Sequence, residues 1–125
     1  MVNLGYVVNP KHRAMTPTTN ASIWRVCQWR EISLCAEAGV RGWRADGVLW
    51  NSSMKIGEPG DVLGEDLKGN LWVAKFVCNH NNEWHGYPVR AVGHDIPPDN
   101  AIQDWQRSGR VKLSIAQRMR KGSMR

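Results

Sequence analysis

Imidazole titrates near neutral pH, so proton chemistry in this chain would start from its four histidines. Two of them, His80 and His85, lie in the stretch NHNNEWHGYP, residues 79–88. If residues 83–92 form a regular strand, alternate side chains share a face, and Glu83, His85 and Tyr87 fall in one row. Such a row could supply a second titrating carboxyl, a general acid or base, and a hydroxyl donor. A third histidine, His12, stands between Lys11 and Arg13, just after Asn9-Pro10. If the first strand lies beside the 83–92 strand, His12 and His85 face each other across a cleft. Two histidines with an arginine suit metal-independent RNA cleavage. One takes the 2′-hydroxyl proton, the other protonates the leaving oxygen, and the guanidinium neutralises the phosphorane. The plainer reading of His85 is a partly buried histidine bonded to a backbone group. Both readings stay open. His80 belongs to the polar loop.

Metal and cofactor chemistry find little support. Cys78, His80, His85 and His94 are all competent zinc ligands, but the spacings C-x-H, H-x4-H and H-x8-H match no paired-ligand knuckle. The acidic GEPGDVLGEDLKG has no GK[ST] ending, there is no G-x-S-x-G elbow, and no carboxylate cluster suits a two-metal nuclease. The expectation is no metal and no cofactor.

Phosphate and base recognition are better supplied. Lys and Arg number 17 against 11 Asp and Glu, a formal charge of +6, and arginine outnumbers lysine. Its planar fork matches phosphate and stacks on bases. Candidate contacts are Lys11, Arg13, Arg41, Arg44, Arg90 and Arg110, with Arg118, Arg120 and Lys121 near the C-terminus. The 19 residues from Arg107 to Arg125 hold seven basic groups and no acid. Seven tryptophans are too many to be exposed together, so most are assigned to the core. Trp43, between Arg41 and Arg44, and Trp84 are the candidates for stacking on a base. The expected partner is nucleic acid, RNA ahead of DNA, or an acidic protein surface. The function expected is that of a small basic nucleic-acid-directed protein, with a ribonuclease as its sharp form. A non-enzymatic module or inhibitor docking on nucleic acid or an acidic protein is the alternative. The sequence leaves the oligomeric state open.

These residues need a scaffold, and 125 residues suffice for one domain, 1–125, with a real core. LGYVV reads as a short first strand. ASIWRVCQWREISLCAEA, residues 21–38, reads as a helix entered at Thr19 or Asn20 and stopped by Gly39. Short strands follow near 48–50 and 54–56. LWVAKFVC and EWHGYPVRAV form a hairpin, 71–92, at the centre of the sheet. Trp72 and Phe76 are expected to be buried, and Pro88 marks an edge or a bulge. A helix begins near Pro97-Pro98 and stops at Gly109, and a second runs from Val111 to Gly122. The last helix is a basic face, phosphate-gripping or merely solvated, rather than a DNA-reading element. The fold class is α+β: a mainly antiparallel, twisted sheet, one helix in the N-terminal half, and two short helices in the C-terminal segment 97–125. Three cysteines without a dense pattern point to free thiols and a cytoplasmic setting. No apolar run approaches a membrane span, and the N-terminus lacks the pattern of a secretory signal.

Overall fold

The computed structural model describes residues 5–8, 27–52, 72–90, 93 and 95–122. In chain order the elements are α1 (Gln28–Arg41), β1 (Arg44–Ala45), β2 (Val48–Asn51), β3 (Trp72–Cys78), β4 (Trp84–Arg90), α2 (Asp99–Arg107) and α3 (Leu113–Lys121). The strands form one antiparallel sheet in the order β1-β2-β3-β4. With one helix before the sheet and two short ones after it, the architecture is α+β. The strand expected near 54–56 lies outside the described residues, as do Thr19 and Asn20, but α1 is not entered there: it begins at Gln28, with Cys27 extended at its N-cap, rather than running over 21–38.

α1 is built on the spacing of its buried side chains. Glu31, Leu34, Cys35 and Ala38 fall on one face and are all buried. The helix does not stop at Gly39. It runs on to Arg41, and Gly42 takes the left-handed conformation at φ 73. Both Gly42 and Trp43 donate their backbone N–H to the Ala38 carbonyl, which closes the last turn. That closure swings Trp43 into the core.

The hairpin forms one side of the sheet rather than its centre: β3 is an inner strand and β4 is the outermost named strand. β3 and β4 pair from Trp72↔Arg90 to Cys78↔Trp84, and β3 also pairs with β2. Asn79 organises the connecting loop. Its side-chain oxygen accepts from the backbone N–H of Asn81 at 2.8 Å and of Glu83 at 3.0 Å. Asn82 takes the left-handed conformation, φ 59.

One face of the sheet packs on α1. Leu49, Ala74 and Phe76 are buried there, and Asn51 donates to the Leu34 carbonyl at 2.8 Å. Tyr6 packs edge-on against Phe76 and donates its hydroxyl to buried Glu31. The opposite face carries Trp50, Val73, Lys75, Tyr87 and Val89. Lys75 lies over the rings of Trp50 and Tyr87 and pairs with Asp95 at 2.7 Å. Phe76 is buried as expected, while the side chain of Trp72 is outside the described residues.

α2 closes the core from the side. Ala101, Ile102 and Trp105 are buried, and Trp105 meets Trp43 edge-to-face at 5.8 Å. Asn100 donates to the Gly42 carbonyl at 3.2 Å, which fixes α2 against the end of α1. α3 buries Ala116 and Met119 and ends at Gly122, φ 65, where the sequence places its stop. Among the described residues no helix is long and apolar enough to cross a membrane.

Candidate functional site

The junction of α1, α2 and the approach to β1 is concave. A cleft of about 530 Å³ opens there. Arg30 and Arg41 reach it from α1. They stand eleven residues apart, close to three full turns, and so emerge on the same side of the helix. Arg107 comes from the last turn of α2. Ser108 and Arg110 come from the turn that follows, where Gly109 at φ 84 reverses the chain.

Trp43 is the floor. It is only 2% exposed. Its indole N–H donates to Asp104 at 3.0 Å, and Trp105 covers one edge. The guanidinium of Arg110 stands 5.0 Å from its ring centroid and that of Arg41 5.9 Å, both within cation–π range.

Arg110 is fixed in place. It donates to the Asn51 side-chain oxygen at 3.0 Å, to the Ser52 carbonyl at 3.1 Å, and to Glu37. Burial pushes the Glu37 carboxyl up. Hydrogen bonds from Arg110 and Asn51, and the charges of Arg110 and Arg30, outweigh that effect, so its pKa lies below the ordinary 4.5. Glu37 is therefore ionised at neutral pH and balances Arg110. Arg30, Arg41 and Arg107 are the exposed cations of the cleft. The Asp104 carboxylate is 3.8 Å from Arg107, too long for a hydrogen bond. Among the described residues four arginines thus face two carboxylates, Asp104 in the lining and Glu37 behind it, a positive excess. Such a cleft can bind anions and stack planar groups on guanidinium faces. Its described lining holds four arginines, one tryptophan, one aspartate and one serine, and no histidine.

The structure brings together three of the residues expected from sequence: Arg41, Trp43 and Arg110. Trp43 is too buried to offer a face to a base, and its role is to seat the arginines. Arg30, Arg107 and Ser108 were not anticipated. The only available signal was the eleven-residue interval between Arg30 and Arg41 within a helical segment. Arg44 is exposed in β1, outside the lining. Arg118, Arg120 and Lys121 lie in the last turn of α3, where Arg120 pairs with Asp99 at 2.6 Å. Arg90 ends β4, and its side chain is outside the described residues.

The histidine row is arranged differently from its alternation pattern. β4 starts at Trp84, and Glu83 remains in the loop, bonded to the Asn79 amide at 3.0 Å. Tyr87 shares a face with His85 but serves Lys75. Burial lowers the pKa of that lysine, and its bonds to Asp95 and Tyr87, with their charges, raise it above 10.5 on balance. His85 is half-buried opposite Val77, and its side chain has no hydrogen-bond partner among the described residues. His80 is exposed in the loop turn. Lys11, His12 and Arg13 lie outside the described residues. The first segment does reach β4: Tyr6 bridges Trp84 in parallel, with Val7 N–H to the Trp84 carbonyl at 2.7 Å. Trp84 is half-buried against the core. Among the described residues, no three of His, Cys, Asp or Glu cluster closely enough to hold a metal ion. His94 is outside them.

No protein-family model matches this chain, and no curated protein or solved structure does either.

Proposed function

We propose that this protein binds nucleic acid, with the arginine cleft as its contact to the phosphate backbone. The observation that carries the reading is the convergence of exposed Arg30, Arg41 and Arg107 on one concavity. That concavity is floored by Trp43 and stiffened by the Arg110–Glu37–Asn51 network. Guanidinium forks match phosphate oxygens, and a concave, positively charged wall concentrates a polyanion. The formal charge of +6 favours the same class of partner over the whole surface. An acidic protein surface is the alternative partner.

The activity proposed is binding rather than cleavage. A ribonuclease would rest on His12 and His85. His85 lies on β4, which contributes no residue to the lining of the cleft, and has no group among the described residues to set its tautomer. The three cysteines are free thiols, which supports a cytoplasmic setting.

The test is the salt dependence of binding, in EDTA, of a labelled 12-nucleotide RNA to the wild type and to R30Q/R41Q/R107Q. Three lost phosphate contacts should reduce the slope of log K against log salt by about 2 units. The RNA should remain intact in both samples. An unchanged slope in the triple variant would remove the cleft from the interface. Cleavage by the wild type that is lost in H85Q would restore the enzymatic reading.

A further inference from the structure

Trp29 is 72% exposed, an unusual position for the largest apolar side chain. It immediately precedes Arg30, which lines the cleft. At the other end of α1, Val40 is 75% exposed and immediately precedes Arg41, also in the lining. Like the two arginines, Trp29 and Val40 are eleven residues apart and share a side of the helix. α1 thus carries two parallel stripes. One has Arg30 and Arg41 at its ends, with buried Leu34 and the Arg110-paired Glu37 between them, and its ends border the cleft. The other is uncharged, running from Trp29 past Ser33 and Ala36 to Val40. The small residues in its middle leave Trp29 standing proud at one end.

We infer that the ligand of the cleft is single-stranded nucleic acid, and that Trp29 is the platform on which one of its bases stacks. The inference rests on the cleft reading given above and adds what the arginines alone cannot specify. Guanidinium groups read phosphate in any polyanion, duplex or single strand. An exposed indole beside them adds affinity only for a ligand that offers a free π-face. In a duplex those faces are covered by neighbouring base pairs. In a single strand they are open, and stacking on an aromatic side chain is nearly indifferent to base identity. RNA and single-stranded DNA share this chemistry.

The full-length chain and its variants W29A, W29F and R30Q/R107Q would be titrated with four ligands. These are a 12-nucleotide oligouridylate, an oligothymidylate of equal length, a DNA duplex of that length, and inorganic polyphosphate of matched charge. W29A should weaken both single strands about 5- to 100-fold, the range expected for losing one stacked base. Duplex and polyphosphate should bind W29A as they bind the wild type, and W29F should retain most of the single-strand affinity. R30Q/R107Q should weaken all four. Circular dichroism would confirm that the exposed substitution leaves the fold intact. Unchanged single-strand affinity in W29A overturns the inference while leaving the cleft reading standing, provided R30Q/R107Q still weakens binding. If no ligand binds the wild type, both fall. A W29A variant that keeps its single-strand affinity but sediments as a smaller species would make the uncharged stripe a protein contact and also overturn the inference.

Discussion

At the scale of the residue, Phe76 packs closely on Gly86. The two pair across β3 and β4, and the phenyl ring occupies the space a side chain at 86 would need. A Cβ there would stand 2.2 Å from Phe76 Cδ1 and 3.0 Å from the Tyr6 hydroxyl. Phe76 is fully buried and held by Tyr6, so it cannot swing away. Gly86→Ala should therefore destabilise by about 1–3 kcal/mol as overpacking, and Phe76→Ala by about 3–5 kcal/mol as a cavity. The double variant should lose less than the sum, because the alanine methyl partly fills the space left by the ring. Urea denaturation of the four proteins checks this, and strict additivity would mean that the ring does not lie over Gly86. Alternation in LWVAKFVC was enough to place Phe76 inside. The glycine beneath it was not legible, because register joins residues ten positions apart that no local pattern links. The same holds for the cleft. Arg41 and Arg110 stood out by type, but Arg107 reaches the cleft only because Asn100 and Trp105 hold α2 against α1.

At the scale of the element, two glycines compete to end α1. Gly39 looked sufficient, but the helix runs through it and stops at Gly42. The deciding contact is tertiary: Trp43 must enter the core against Trp105, and a left-handed residue just before it makes that swing. Propensity reads the glycines but not the tryptophan's destination. α3 had one glycine and one outcome, and there sequence and structure agree. The start of α1 is weakly secured, since Cys27 occupies the N-cap without a side-chain hydrogen bond. Cys27→Ser is nearly isosteric and puts an acceptor where the N–H groups of the first turn emerge. It should raise stability by about 0.5–1 kcal/mol, read as a shift in the denaturation midpoint at constant m. No gain would mean that another group already satisfies those donors.

At the scale of the whole molecule, charged pairs brace the sheet on both faces, Glu37–Arg110 on one and Lys75–Asp95 on the other. Glu37 has a folded pKa below 4.5, so its contribution is present above that value and is lost as pH falls through the folded pKa. Lys75 has a folded pKa above 10.5, so its contribution is complete below that value and lost as pH rises through the folded pKa. The Cys35 thiol is pushed up to about 12 by burial, with help from the charges of Glu31 and Cys78. The unfolded chain can ionise this thiol from about pH 9, so the alkaline decline should begin there. Thermal melts across pH should give a plateau with two falling limbs. Glu37→Gln should lower the plateau and flatten the acid limb, with the two proteins converging once pH has fallen through the folded pKa of Glu37. Parallel acid limbs would assign the loss to other carboxylates. The antiparallel α+β layout was legible because turns and alternation are local, whereas the bracing pairs join distant segments and were not. The rim of the sheet carries a last consequence. At one side β1 is two residues long. At the other, the outward backbone of β4 is bonded at Trp84 by Gly5 and Val7, and Pro88, at an outward position, has no N–H to offer. An open strand of seven residues would be a template for a neighbouring chain, and here its bonding groups are partly taken and partly missing. Gly5 and Val7 thus occupy part of an edge that a strand from another chain would otherwise need.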